Sequence, residues 1–332
     1  MRKTMVILAT AVLGLLAGCQ DGGVRSDENL IVIEFRPDEP LTYQLASRRD
    51  ILIELVDGQG KPQPGQSHKM SEQLDVQMTY TPTDVDPLGL TTIEARCDSA
   101  KVTRQGFRTS GPEPKDLAEK LAGKTFSFQV SPSGKPADTE AMDAALNAFI
   151  ESGFVSASGP VKRIKDPDMV VDFLALQYHL WDSVAMIPDP LSARAGTHWT
   201  SDQLTPLPFP LPVTRTTTYT LRDPGTSEEP KAVMESTFAL SNTEPRWWPP
   251  AYQEVFNLRG SLFAILRNYR FRSIEGGGQA VFDVAQGTLE RETQAYKTVI
   301  DASFMLPLGD TRPVITIEQE LRAERLASDG GA

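Results

Sequence analysis

Cysteine is nearly absent from this chain: Cys19 and Cys97 are the only two. A disulfide framework is therefore excluded, and a chain of this length can bury a core large enough to do without one. Histidine is also scarce, at His68, His179 and His198, and no two of these have the i, i+4 spacing that a metal site on one helix face requires. No block of Lys or Arg exists, and the formal net charge is −11. That balance excludes nucleic acid, because phosphate neutralisation needs clustered cations. It also excludes electrostatic adhesion to an anionic membrane surface. The longest apolar stretch, Thr4 to Leu16, falls short of the roughly 20 residues that span a bilayer core as a helix. There is no Gly-x-Ser-x-Gly nucleophile elbow and no phosphate-loop Lys. The sequence calls for no cofactor and no metal.

What is present begins at the first residues. Arg2 and Lys3 form a basic start, Thr4 to Leu16 is the apolar run, and Leu16-Ala17-Gly18-Cys19 closes it. This is the layout of a secretory signal peptide with a cysteine directly after the small-residue cleavage site. Leu-Ala-Gly-Cys resembles the lipobox of bacterial lipoproteins. The resemblance implies that residues 1–18 are removed and that Cys19 becomes the first mature residue, carrying lipid such as palmitate. Multiple acyl chains would then anchor the protein stably, where one alone would not. Residues 19–28 read as a lipidated tether. Gln20 stands where an Asp would favour inner-membrane retention, so the outer membrane is the favoured address. With Cys19 lipidated, Cys97 has no partner within the chain and reads as a small buried hydrophobe, an intermolecular disulfide being the alternative.

From Leu30 onward the dominant signal is period-two alternation, the mark of half-buried antiparallel strands. Leu74, Val76, Met78 and Tyr80 share one face, as do Phe126, Phe128 and Val130. The longest series is Tyr296, Thr298, Ile300, Ala302, Phe304 and Leu306. Asp57-Gly58-Gln59-Gly60 and Asp86-Pro87-Leu88-Gly89 read as turns between strands, and Gly276-Gly277-Gly278 reads as a hairpin turn. Three helices are expected in the middle. Lys115 to Ala122 is short and stops at Gly123. Thr139 to Ser152 has Asp138 as N-cap, Gly153 after its end, and Met142, Ala145, Leu146, Phe149 and Ile150 on one stripe. A third opens at Asp166-Pro167-Asp168 and presents Val170, Phe173, Leu174, Gln177 and Trp181 on one face. The prolines between Pro188 and Pro212 predict an extended surface crossing without regular structure.

The organisation that follows is an N-terminal β-rich half (29–135), a helical insertion (136–187), the Pro-rich crossing (188–212), a C-terminal β-rich half (213–326) and a disordered tail (327–332). Thr42-Tyr43-Gln44-Leu45 and Thr218-Tyr219-Thr220-Leu221 echo each other near the starts of the two halves. The expected fold class is α+β, mostly β: large curved antiparallel sheets, as two halves or one incomplete barrel, with the helices packed on them. In the body, Phe126-Ser-Phe-Gln-Val-Ser131-Pro-Ser-Gly134, Pro-Leu-Pro-Phe-Pro-Leu-Pro-Val ending at Val213, and Val281-Phe282-Asp283 leading to Gly287-Thr288-Leu289 resemble an uncharacterised family of β-rich exported bacterial lipoproteins. A large curved sheet with helices on one face also resembles the half-barrels of periplasmic lipoprotein carriers. Both resemblances imply fold and location, and no reaction.

For chemistry, the most unusual local composition runs from Trp247 to Arg272, where aromatics are interleaved with Arg259, Arg267, Arg270 and Arg272, and Arg246 directly precedes it. One reading is an exposed patch built on Trp247, Trp248 and Tyr252 for an envelope protein, a glycan or a hydrophobic ligand, since Trp, Tyr and Arg are enriched at binding hot spots. The plainer reading is a core strand with its arginines outward, as Tyr269, Arg270, Phe271 and Arg272 alternate. The expected function is a lipid-anchored envelope protein with a non-catalytic binding or scaffolding role. The alternatives are a carrier or sensor of hydrophobic ligands in a cavity between sheet and helices, and a hydrolase with a non-obvious site.

Overall fold

The computed structural model describes residues 33–106, 115–153, 155–156, 159–160, 169–185, 194–209, 211, 213–244, 262–306 and 310–327. Twelve strands and two helices are described: β1 (Leu41–Val56), β2 (Pro62–Val85), β3 (Thr91–Gln105), β4 (Thr125–Val130), α1 (Thr139–Ser152), β5 (Val155–Ser156), β6 (Gly159–Pro160), α2 (Val170–Val184), β7 (His198–Leu204), β8 (Thr214–Asp223), β9 (Lys231–Leu240), β10 (Leu266–Asp283), β11 (Thr288–Phe304) and β12 (Arg312–Arg325).

Ten strands form one antiparallel sheet in the order β4-β3-β2-β1-β12-β11-β10-β9-β8-β7, open at β4 and β7. Within each half the strands are successive hairpin neighbours. The halves join where β1 pairs with β12, from Tyr43 opposite Arg325 to Val56 opposite Arg312. The incomplete barrel, rather than two separate sheets, is thus the arrangement adopted. The chain passes from one sheet edge to the other through α1 and α2.

Alternation sets the two faces. Tyr43, Leu45, Ile51 and Ile53 of β1 point inward, as do Leu74, Val76, Met78 and Tyr80 of β2. Outward positions carry Arg48, Asp50, Glu318, Arg322, Arg291 and Lys297, all exposed. A membrane barrel needs an outward apolar band, and these charges face water instead. No described helix is long and apolar enough to cross a membrane.

α1 follows its sequence signals. Asp138 caps it by accepting a hydrogen bond from Ala141 N at 3.0 Å, and Met142, Leu146, Phe149 and Ile150 are buried. Gly153 keeps a right-handed φ of −71°, so it is not a left-handed cap. It is small because a Cβ there would approach Leu117 Cδ1 at 3.1 Å. Lys115 to Ala122 shortens to one 3-10 turn, Ala118–Leu121, before Gly123 at φ +80°. α2 has no side-chain N-cap; Met169 takes that position, while Asp166-Pro167-Asp168 lies outside the described residues.

α2 differs from the one-faced expectation. Thirteen of its fifteen residues are buried, including Asp172, Leu176, Leu180 and Ser183, which lie off the predicted stripe. A helix covered all round is a core element. It contacts β1, β2, β7, β11 and β12, filling the hollow of the sheet.

Two further expectations are corrected. Gly276-Gly277-Gly278 is not a turn; it lies inside β10, with the reversal at Asp283–Thr288. Glycine is required there by close approach: a Cβ on Gly276 would lie 2.2 Å from Ala295 O and 2.5 Å from Tyr296 Cα. Among its described residues the Pro-rich crossing is neither wholly irregular nor wholly on the surface. Its proline-free stretch forms edge strand β7, and Leu207 and Phe209 beyond it are 1% and 2% exposed. The strand follows from pairing with β8, His198 opposite Thr220 through Leu204 opposite Thr214, and Phe209 is buried against Phe263 and Tyr269.

Candidate functional site: a buried polar belt beneath α2

The inward face of the sheet is not uniformly apolar. One row crosses eight strands as Thr217, Phe238, Gly276, Tyr296, Gln319, Arg49, Glu72 and Arg104. With the residues beside it, this row forms two hydrogen-bonded clusters under the two ends of α2.

The first cluster holds the helix N-terminus. Arg49 of β1 donates from Nη1 to Asp172 Oδ2 at 2.7 Å and from Nε to Glu72 Oε2 at 2.5 Å. Arg104 donates to Glu72 Oε1 at 2.8 Å and to Asp116. Asp116 also accepts from Met169 N at 3.1 Å and Ala118 N at 2.9 Å. Ser47 donates to the other Asp172 oxygen at 2.5 Å and accepts from Gln319 Nε2 at 2.6 Å. Arg49, Glu72 and Asp172 are fully buried. Burial raises the Asp172 pKa; Arg49 and Ser47 oppose that rise, and Glu72 adds to it. Asp172 sits in the first helical turn, where the dipole favours a carboxylate.

The second cluster holds the C-terminal half. Arg215 of β8 is 1% exposed, and its guanidinium lies 4.4 Å from the Phe238 ring centroid and 4.5 Å from that of Tyr296. Gly276, opposite both aromatics, supplies no side chain, which leaves the guanidinium room. Arg215 donates from Nη2 to Gln203 Oε1 at 2.9 Å and to Gln294 Oε1. The Gln203 amide donates to Asp182 Oδ2 at 2.9 Å and to Tyr219 Oη at 3.0 Å. The Gln294 amide donates to Glu292 Oε1 at 2.8 Å and lies 3.0 Å from His179 Nδ1. Ser183 donates to Glu292 Oε2, and His179 Nε2 lies 3.2 Å from the same oxygen, off the hydrogen-bond direction. Burial pushes Glu292 up to about 7, against the Ser183 and Gln294 hydrogen bonds. Burial, helped by the Arg215 charge, pushes His179 down to about 3.

Ser183, Glu292 and His179 are the three residue types of a nucleophilic triad in the wrong order. The hydroxyl is given to the carboxylate, not to the imidazole that would have to accept its proton. All three are at most 2% exposed. What this arrangement does is cross-link helix to sheet.

The space beside the helix is small. An apolar cavity among Phe35, Tyr43, Tyr80, Leu180, Trp181 and Leu289 measures about 10 Å³, the size of one water. The expected ligand cavity between sheet and helices is instead filled by α2. A larger hollow of about 410 Å³ lies on the outer face among Arg48, Asp50, Glu275, Lys297, Glu318 and Glu320, open to water and strongly charged.

Of the residues singled out from sequence, Cys19, Trp247, Trp248 and Tyr252 lie outside the described residues. Tyr269 to Arg272 form part of β10, with both arginines outward and both aromatics half-buried, as a strand requires. Cys97 is buried and free, and burial pushes its thiol up to about 12. His68 and His198 lie apart on β2 and β7, and only His179 enters the belt. Among the described residues no three His, Cys, Asp or Glu side chains gather to hold a metal. Sequence reading missed Arg49, Glu72, Asp172, Arg215 and Glu292. One signal could have found three of them: a charged residue in phase with an inward apolar series, as Arg49 is with Leu45 and Ile51, Glu72 with Met70 and Leu74, and Glu292 with Tyr296 and Ile300.

No family model matches the chain, and no curated protein matches it. Two solved structures align weakly with it. One, described as lipid–protein interactions in lipovitellin, aligns with 90% of this chain at 9% identity and a TM-score of 0.43; the chain spans 26% of that protein's length. The other is the outer membrane protein OprG from Pseudomonas aeruginosa, aligned over 89% of this chain and 100% of its own, at 6% identity and a TM-score of 0.22. Neither likeness reaches the level at which function transfers.

Proposed function

We propose that this protein is a bacterial lipoprotein, anchored through lipid on Cys19 to the cell envelope, whose exported body has a non-catalytic binding or scaffolding role. The observation that carries the reading is Leu16-Ala17-Gly18-Cys19 behind a basic start and a short apolar run. Three features of the body support it. The outward sheet face is charged, as an aqueous compartment demands. Cys97 is buried with a raised pKa, which leaves Cys19 as the cysteine available for modification. Glu34 N donates to Gly287 O at 3.1 Å, so the chain enters the fold beside the β10–β11 turn. From Cys19 to Glu34 the chain can reach about 50 Å fully extended. Ser183 gives its hydroxyl to the Glu292 carboxylate and not to His179, which favours a binding over a catalytic role.

Fractionation tests the anchor. Wild-type protein is expected in the membrane fraction and to incorporate labelled palmitate. Cys19→Ala is expected in the soluble exported fraction without label. A variant that stays with the membrane overturns the reading. The alternative reading, a carrier of hydrophobic ligands, finds no room among the described residues: α2 fills the hollow and leaves a cavity of about 10 Å³. Native mass spectrometry of the Cys19→Ala protein, searched for co-purifying lipid, tests that reading.

A further inference from the structure

Ile33, Glu34 and Phe35 are the first described residues, and they lie outside the sheet. Three elements distant from one another in sequence meet on them. Glu34 N donates to Gly287 O in the β10–β11 turn at 3.1 Å. The Phe35 ring lies 6.2 Å from the Trp181 ring of α2, tilted by 38°. Ile33 reaches Gly134 in the turn after β4, where a Cβ would stand 2.4 Å from Ile33 Cδ1 and 3.1 Å from Val184 Cγ1 of α2. Gly134 thus leaves a notch in which Ile33 and Val184 meet. Ile33 and Phe35 pack on the core, and Glu34 between them is exposed, the alternation of an extended segment with one covered face.

The segment ends in a reversal. Glu39 N donates to Arg36 O at 3.1 Å, across Pro37 and across Asp38 at φ +63°. Proline second and a left-handed residue third are the marks of a type II turn. Asp38 N donates to Pro82 O at 2.9 Å, so the turn is pinned to the end of β2. β1 follows, and its attachment differs in kind: it is laddered to β2 from Leu41 and to β12 from Tyr43. The three residues before the turn have one described backbone bond to the body and two half-buried apolar side chains. Both side chains border the cavity of about 10 Å³, so they do not seal against Tyr43, Leu180 and Leu289. A pull on the chain before Ile33, or its capture by another molecule, therefore meets these weak contacts before it meets the sheet.

We infer that Ile33–Phe35 is a releasable strap that clamps the C-terminal half of α2, and that it couples the chain before Ile33 to the seating of that helix. The first turn of α2 is held separately, through Arg49 to Asp172 and Met169 N to Asp116. The second cluster grips the polar side of the C-terminal half through Asp182 and Ser183. The strap covers its apolar side. When the strap lifts, Trp181 loses Phe35 and Val184 loses Ile33, while Arg49 and Asp116 keep their hold. Release is thus local to one end of the helix. The coupling is reciprocal: whatever loosens the C-terminal half of α2 must loosen the strap by the same factor. The inference stands with or without lipid on Cys19, because every contact of the strap lies within the body.

Native-state hydrogen exchange in the full-length protein, corrected for intrinsic rates, tests both release and coupling. In the wild type the Glu34 amide should exchange at least about 100-fold faster than the laddered amides of β1, since it opens locally. Phe35→Ala should raise exchange of the α2 amides from Tyr178 to Ala185 about 10-fold, and leave those from Phe173 to Leu176 and those of β12 within about twofold. Val184→Ala should in turn speed the Glu34 amide. Arg36→Ala removes the exposed pairs with Glu34 and Glu39 and is the control; it should change neither reading. A Glu34 amide as slow as β1 would mean that the strap does not release, and overturns the inference. So does a Phe35→Ala protein in which α2 and β12 rise together, or in which α2 does not rise. Should Phe35→Ala fail to fold, Glu34→Pro, which removes only the donor to Gly287 O, carries the α2 part of the test.

Discussion

Gly276→Ala is the substitution that most sharply separates a strand from a turn. At a hairpin with positive φ, alanine would cost roughly 1 kcal/mol through backbone strain alone. Gly276 has no positive φ. Its difficulty is space: the new Cβ would stand 2.2 Å from Ala295 O, 2.5 Å from Tyr296 Cα and 2.6 Å from Tyr296 Cβ. The first two of these atoms are backbone, so no rotamer change relieves them. Restoring ordinary contact near 3.4 Å moves β10 from β11 by over an ångström, beyond what a ladder hydrogen bond tolerates. Two such bonds at about 1 kcal/mol each, together with about 1–3 kcal/mol of overpacking, give a loss of about 3–5 kcal/mol. The Arg215 stack between Phe238 and Tyr296 would be displaced as well. At roughly 2 cal/mol/K of unfolding entropy per residue over some 300 residues, the Tm should fall by about 5–8 °C. Gly123→Ala is the control: φ is +80° with nothing within 4 Å of the added carbon, so strain alone operates and about 2 °C is expected. Calorimetry on both variants decides the matter, and a Gly276→Ala protein no less stable than Gly123→Ala would refute the strand placement.

Three further outcomes are expected. Asp172→Ala removes one carboxylate partner of the fully buried Arg49 and should cost about 3–5 kcal/mol in urea unfolding; a loss under about 1 kcal/mol would show that the cluster does not hold α2. Arg222→Ala removes the partner of Glu235 at a site about half exposed on both sides, and should change stability by no more than about 1 kcal/mol in the same assay. Cys97, buried and with its thiol pushed up to about 12, should resist a maleimide at pH 8 until the protein is denatured; labelling of the native protein at the rate of a free thiol would contradict its placement.

Local rules account for the parts of the fold that were legible in advance. A strand with one wet face must alternate, and β2, β4 and β11 do so over their cores. A helix N-terminus leaves donors to be met, and Asp138 meets one. The lipobox resemblance at Leu16 to Cys19 is likewise local. The belt beneath α2 was not legible, because its partners are distant in sequence: Ser47 and Asp172 are 125 residues apart, and Ser183 and Glu292 are 109 apart. Arg49 in isolation is one more arginine of an acidic protein; only the sheet places it inside.

By itself the sequence determined the strand-rich class, the limits of α1, the burial of Cys97 and the polar outer face, all consequences of periodicity, capping and scarcity read over a few residues. Tertiary structure alone decided that β1 closes on β12, that Gly276 is a crowded strand position, that β7 emerges from a proline-rich stretch, and that α2 is covered on every side. The physical reason is the same in each case. Backbone pairing and the burial of charge depend on which distant segment lies opposite, and one residue's neighbours in sequence carry no information about that.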